Sequence, residues 1–374
     1  MVRSPILLRC SIEPSPKMAT KILEKTRGTT NILRKYIKAV PITFCLRANS
    51  GAKIPNKIPK MIPRITKVFV VVNFLIFLIM EILYNIFMEK EILNTSYEIL
   101  GFFESNKDRK VLIFSVLKQL LDLMGYKAFV DIAQIYKYKM LTPKEIDSRI
   151  ELSFEKLNEE SSFHKAQQSE EKYGVKSAFF QIDKTAQPSF LYHYTEALKF
   201  CNISAKQSIL NLGINKGDEF EVIHRLLGDE VEDKRLVGLD YSASIIEYAQ
   251  EKFPNTKMIC GDINKLDELN LGVFEMIISI GTLQSSNINF NERFMSIYQG
   301  QLKKDGAIIL GFPNCRWIDG EMVYGAMTPN YNFSEMSLVL KDIHFCKKYL
   351  QQKGYRVVIT GKDYLFLSAR KIGA

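Results

Sequence analysis

From Ser208 to the C-terminus, apolar residues fall into two alternating patterns. Short continuous runs ("SILNLG", "RLVGLD", "TKMICGD", "FEMIISIG" and "GAIILGFP") have the length and the bounding residues of buried strands. Between them lie "DEFEVIHRLLG", "SASIIEYAQEKF" and "NFNERFMSIYQGQL", whose apolar positions recur at helical spacing; Gly228 closes the first and Pro254 ends the second. Strands alternating with helices predict an α/β fold with a doubly wound, mostly parallel sheet, which binds ligands beyond the carboxyl ends of its strands. The rhythm then breaks. After a helix through "MSLVLKDIHFCKKYLQQKG", the runs "RVVIT" and "YLFLSAR" are separated by "GKD" alone. Three residues cannot make a crossover helix, so a seven-stranded sheet ends in an antiparallel hairpin.

Upstream, residues 88–160 read as a helical accessory unit. "DRKVLIFSVLKQLLDLMGY" places Val111, Leu112, Phe114, Leu117, Leu120, Leu121 and Met124 at helix-like spacings, with Gly125 as a stop. "YKAFVDIAQIYKYKM" is a second amphipathic segment. "LTPKEIDSRIELSFEKLNEE" opens with Thr142 as N-cap, Pro143 at the first helical position and Glu145 in the capping-box place. A polar and then aromatic linker follows, with Phe179, Phe180, Phe190, Tyr192, His193 and Tyr194 close together before the sheet begins. The linker and the sheet make one domain, 161–374, with its core at 206–372.

The first 87 residues differ from the rest. Seven of the twelve prolines precede residue 68, several in "KIPNKIPKMIPRITK", which cannot hold a helix and has little to bury. Val68 to Phe87 is then twenty residues long and mostly apolar, the length of a bilayer span. Asn73 and Glu81 lie inside it, and the basic flank is N-terminal, which would carry the folded part out of the cytosol. Two readings stand: a membrane anchor, or a translation start at Met88 with the upstream residues an over-extended frame.

Four stations carry candidate chemistry. The loop after the first strand reads Asn211, Gly213, Asn215, Gly217, a glycine turn opening onto a helix whose free N–H groups can receive an anion. Asp240 and Tyr241 end the second strand, and Asp262 and Ile263 end the third. The fourth is "FEMIISIGTLQ" with "LKKDGAIILGFPN". In this order, and with the terminal hairpin, residues 206–372 resemble the S-adenosylmethionine-dependent methyltransferases of the seven-stranded, Rossmann-like class I type. The resemblance implies S-adenosylmethionine as cofactor. It further implies that the glycine loop approaches the cofactor's amino-acid portion, that Asp240 accepts from the ribose hydroxyls, and that Asp262 and the Ile263 N–H meet the adenine. The family's loop reads acid-x-Gly-x-Gly-x-Gly, so Asn211 offers an amide oxygen where the family has a charge, and Asn215 replaces a glycine while tolerating a left-handed backbone.

Charge and cysteine usage narrow the partners. The net charge of +10 suggests nucleic acid until it is located: residues 1–67 hold 15 Lys and Arg against Glu13 and Glu24, and the remaining chain is slightly acidic. A basic face for nucleic acid is therefore not expected on the folded part. The six cysteines show no C-x-x-C pair and no histidine at zinc spacing, which predicts reduced thiols, no metal and a cytoplasmic protein, with membrane association only through 68–87.

For the acceptor side, "GFPNCRWIDGEMVYGAMTPNYNFSEMS" follows the fifth strand, where substrate loops occur in this fold. Arg316 can fork onto a carboxylate or phosphate beside Trp317 or Tyr324, or can pair with Asp319 or Glu321. His193 is the first candidate base because it precedes the glycine loop among aromatic residues. No Asn/Asp-Pro-Pro-aromatic run follows strand four, so nucleobase amine methylation lacks support. The leading expectation is methylation of an oxygen or nitrogen of a small, acidic metabolite. Methylation of RNA or protein, or a non-catalytic cofactor-binding role, are the alternatives.

Overall fold

The computed structural model describes residues 91–159, 174–177, 180–285, 287–326 and 334–373. The expectations for residues 1–87, and for Phe179, lie outside the described residues. The chain divides into two compact units, residues 1–156 and 157–374.

The first unit is not the helical unit that its spacing predicts. Helix α1 (Ser96–Asn106) starts at Thr95, whose side chain accepts the Glu98 N–H. It is followed by β1 (Val111–Leu117), α2 (Lys118–Ile135), β2 (Tyr138–Met140), β3 (Lys144–Ile146) and β4 (Arg149–Lys156). Strand β4 lies between β1 and β2 and also pairs with β3, all antiparallel. The predicted helix through Val111 fails because "VLIFSVL" satisfies a period of two as well as a helical one, and seven backbone pairs with β4 decide between them. Gly125, with non-helical φ 70 and ψ 158, ends the first helical segment of α2 as its spacing predicts, and a second segment follows across the kink. The predicted helix at Thr142 is a hairpin: Asp147 takes a left-handed conformation at φ 55 in the turn between Ile146 and Arg149. Ile150, Leu152 and Phe154 then alternate inward from β4. Phe114 and Phe154 stack at 5.5 Å between centroids in the core of this unit, and the buried Tyr138 hydroxyl donates to the Arg109 carbonyl at 2.6 Å.

The second unit follows the sequence pattern closely. Its elements are α3 (Pro188–Phe200), β5 (Ser208–Leu212), α4 (Asp218–Leu227), β6 (Arg235–Asp240), α5 (Ala243–Lys252), β7 (Lys257–Cys260), β8 (Phe274–Ile280), α6 (Phe290–Gly300), β9 (Leu302–Pro313), β10 (Cys315–Ile318), β11 (Glu321–Tyr324), α7 (Ser337–Gln352), β12 (Tyr355–Gly361) and β13 (Tyr364–Lys371). The sheet has seven strands in the order β12-β13-β9-β8-β5-β6-β7. Pairs among β5 to β9 are parallel, while β13 lies antiparallel between β9 and β12.

Both faces of the sheet are covered, so alternate residues of one strand serve different cores. Ile308, Leu310 and Phe312 of β9 meet Phe294 of α6 and Ile343 and Leu350 of α7. Ala307 and Ile309 join the opposite core, with Tyr194 of α3 and Phe220 and Ile223 of α4. This arrangement leaves the carboxyl ends of β5, β6 and β8 side by side, where the chain reverses direction across the sheet.

Candidate active site

The loop between β5 and α4 is built on two glycines. Gly213 has φ 77 and Gly217 φ 84, conformations that a side chain disfavours. Space enforces the same choice: a Cβ on Gly213 would come 1.9 Å from Thr282 Oγ1, and one on Gly217 would come 2.3 Å from Phe253 Cε2. The N–H groups of Gly213 and Ile214 both donate to the Leu239 carbonyl, at 2.8 and 3.0 Å, and lash the turn to β6. Asn215 adopts φ 46, the left-handed conformation that asparagine tolerates. Gly217 then caps α4.

Asp240 closes the site from β6. Its Oδ2 accepts the Asn215 N–H at 2.9 Å and its Oδ1 accepts the Ser242 N–H at 3.2 Å. Burial raises its carboxyl above the ordinary value and outweighs these donors, and the charge of Glu219 adds to the rise. Tyr241, next along the chain, is 52 % exposed. From β7, Asp262 Oδ1 accepts the Asn264 N–H at 2.8 Å and caps the helical turn that begins at Ile263, which is buried. The fold thus places Asn211, Gly213, Asn215, Gly217, Asp240, Tyr241, Asp262 and Ile263 at adjoining strand ends, in the sequence order expected of them.

Asn211 is fully buried, and neither of its amide atoms has a hydrogen bond. Such a side chain costs stability unless something occupies it. Beside it along the chain, Ser279 Oγ and Thr282 Oγ1, reaching over from β8 and the loop after it, donate to the Leu212 carbonyl.

The residues that precede the sheet reach further into the site than their positions in the sequence suggest. Lys216, in the glycine loop, donates to the carbonyls of Ile182 at 2.8 Å and Phe180 at 3.5 Å, tying that segment to the loop. Asp183 caps the short turn Lys184–Ala186, and from this turn Lys184 Nζ meets Glu219 Oε1 at 2.5 Å. The Lys184 side chain is 12 % exposed and that of Glu219 is 0 %. Burial acts to lower the Lys184 ammonium, but Glu219, Asp218 and Asp183 outweigh it and hold the group above its ordinary value. Asp218 is pushed up to about 6, first by burial and then by Glu219, against the pull of Lys184. Lys184 and Glu219 carry no local motif; only the fold brings residues 35 positions apart together.

On the acceptor side the candidates separate. His193 projects from α3 into a small cavity of about 10 Å³, shared with Phe190, Tyr364 and Asp363. Its neighbour Tyr194 is fully buried, with its hydroxyl 3.5 Å from the Glu219 carbonyl, so one helix touches both the cavity and the start of α4. Arg316 lies on the two-stranded ribbon β10–β11, which the sequence reading did not foresee. Its Nε donates to the Gly325 carbonyl and its Nη2 to Ser334 Oγ, both at 3.2 Å. Tyr324, 46 % exposed, stands at the end of the same ribbon. Trp317 Nε1 donates to the Tyr364 hydroxyl at 3.2 Å and joins the ribbon to β13. Among the described residues, no group of three or more His, Cys, Asp or Glu is placed to hold a metal ion, and no helix is long and apolar enough to cross a membrane.

Residues 203–358 match the family model described as a methyltransferase domain. A search of curated proteins finds no match. Solved structures of similar fold include the plantazolicin methyltransferase BpumL in complex with SAH, at 15 % identity over 50 % of this chain and 85 % of that one, TM-score 0.38. Precorrin-6y C5,15-methyltransferase from Geobacter metallireducens matches at 12 % identity over 50 % of this chain and 91 % of its own, TM-score 0.34. A TehB-like SAM-dependent methyltransferase from Corynebacterium glutamicum matches at 15 % identity, covering 50 % of this chain and 100 % of that chain, TM-score 0.30.

Proposed function

Because the second unit is a methyltransferase domain of the class I, Rossmann-like type, we propose that the chain uses S-adenosylmethionine to methylate an oxygen or nitrogen of a small, acidic metabolite. The observation that carries the cofactor reading is the glycine turn clamped by Asp240: Thr282 and Phe253 pack where side chains of Gly213 and Gly217 would stand, which fixes the turn at the carboxyl end of β5, where such sheets bind ligands. The donor set suits such a ligand. Asn211 has both an amide acceptor and an amide donor to offer. Asp240 would hold the ribose hydroxyls, Tyr241 would lie along the sugar and base, and Asp262 with the Ile263 N–H would meet the adenine edge.

When bound, the cofactor supplies a methyl group on a sulfonium centre. The protein's own part is to orient the acceptor, exclude water and take up a proton from it. His193 is the proposed base, in the cavity that it shares with Tyr364. Arg316 and Tyr324 are proposed to flank the acceptor's carboxylate. The Arg316 side chain donates to the Gly325 carbonyl and to Ser334 Oγ, which supports a preset position for its guanidinium.

The test is a calorimetric titration of the full chain with S-adenosylhomocysteine, followed by methyl-labelled cofactor with a panel of carboxylate-bearing hydroxy and amino compounds. Micromolar binding and label on acidic members, lost in His193→Ala, is the expected result. Binding without label on any member would overturn the metabolite reading and direct the search to RNA and protein acceptors. Absence of binding would overturn the cofactor reading.

A further inference from the structure

Besides Asn215 Oδ1 within the glycine loop, two buried polar side chains beside it lack a full set of partners: both amide atoms of Asn211 and Oε2 of Glu219. Both residues are at most 1 % exposed. Glu219 lies in the first turn of α4, directly after the loop, and its other oxygen is held by Lys184. Its charge reaches Asp240, whose carboxyl it helps to raise. The Lys184 ammonium has three N–H donors, and the contact with Glu219 occupies one of them.

The methionine end of S-adenosylmethionine carries an ammonium and a carboxylate. The loop offers a neutral amide at position 211, so a charged partner for that ammonium has to come from elsewhere. Resting on the cofactor reading above, we propose that Lys184 and Glu219 are the binding pair for the cofactor's amino-acid end. Glu219 Oε2 accepts from its ammonium and Lys184 donates to its carboxylate. The negative charge absent at 211 is thereby supplied by α4, and the positive charge by the segment that Lys216 ties onto the loop. This role explains why an ion pair is buried here at all, since apolar residues of the same volume would hold a purely structural position as well or better.

The full-length protein is titrated with S-adenosylhomocysteine and, separately, with 5′-methylthioadenosine, which keeps the base, sugar and thioether but lacks both charges. In E219Q and K184M, affinity for S-adenosylhomocysteine falls about tenfold or more while that for methylthioadenosine changes less than about twofold. Because removing one member of a buried pair can unfold a protein, the apolar double variant K184M/E219M is measured beside them, and its methylthioadenosine binding reports a folded site. Equal losses for both ligands, or no loss for either, would overturn the proposal. A wild-type protein that binds neither ligand would overturn the cofactor reading and this proposal with it, a result distinct from the selective loss sought in the variants.

Discussion

Asn215 donates its backbone N–H to Asp240 Oδ2 at 2.9 Å, so the acid that ends β6 is also a clamp on the glycine loop. A substitution at Asp240 therefore acts on the ligand and on the loop at once. Asp240→Ala leaves the Asn215 and Ser242 amides without their acceptor and should cost about 1–3 kcal/mol of stability, together with tenfold or more in affinity for S-adenosylhomocysteine. Asp240→Asn keeps one acceptor oxygen and should lie between Ala and wild type in both. Urea unfolding read beside calorimetric titration checks the pair; an alanine variant with wild-type stability would remove the clamp from the account.

Two positions of the glycine loop, Asn215 and Gly213, predict opposite tolerances. At Asn215, φ 46 is left-handed, so Asn215→Gly should change stability by no more than a few tenths of a kcal/mol, whereas the β-branched Asn215→Val should cost about 1–2 kcal/mol. At Gly213 even a methyl group meets Thr282, and Gly213→Ala should cost more than Asn215→Val. Thermal midpoints of the three variants would rank them, and a Gly213→Ala protein as stable as wild type would contradict the cramped turn.

How much of this was legible from residues alone depends on the range of the interactions. Strands β5 to β9 and the terminal hairpin announce themselves because each is a short apolar run bounded by turn residues, and Asp240 and Asp262 stand at the ends of such runs. The first unit misled because its determinants are not local. Val111–Leu117 can be written on a helix or a strand, and only pairing with β4 chooses. The capping residues around Thr142 are overruled by the alternation of Ile150, Leu152 and Phe154, which was present in the sequence and is the signal that could have found the hairpin. Lys184 and Glu219 lay beyond any sequence pattern, since an ion pair between a linker and a helix has no periodicity.

The buried Asp218 makes stability depend on pH. Its folded value of about 6 lies above its ordinary 3.8, so between these values the folded state retains a proton that the unfolded chain has released. Stability from this group is complete below about pH 4 and declines as pH rises through 6. Asp218→Asn removes that slope, and relative to wild type it should gain on the order of 2–3 kcal/mol between pH 4 and pH 7. Urea midpoints of both proteins at the two pH values measure the difference; parallel pH profiles would mean that Asp218 is solvated.

The four described cysteines should differ in reactivity. Cys260 is exposed at the end of β7, whereas Cys201 and Cys315 are buried and pushed up to about 12, and burial likewise raises Cys346. Iodoacetamide on the native protein should label Cys260 ahead of those three. Because Cys260 adjoins the Asp262 turn, with its thiol 3.5 Å from the Tyr241 carbonyl, saturating S-adenosylhomocysteine should slow its labelling several-fold. Peptide mapping after timed labelling reads both effects, and a rate indifferent to the ligand would move the adenine away from β7.

Helix α3 ends before residue 203, where the family match begins, yet its rings fill the sheet's own core: Phe190 and Tyr194 lie 5.5 and 5.9 Å from the ring of Phe366. A fragment trimmed to residues 203–358 would lose α3 and, with Phe366, the whole of β13, and would expose Ile309 and Ile278 to water along one side of the sheet. It would be expected to precipitate, and not to fold as a smaller enzyme. The heritable module is therefore larger than its recognisable signature, and any rearrangement that moved this sheet into another protein would have to carry the preceding helix with it.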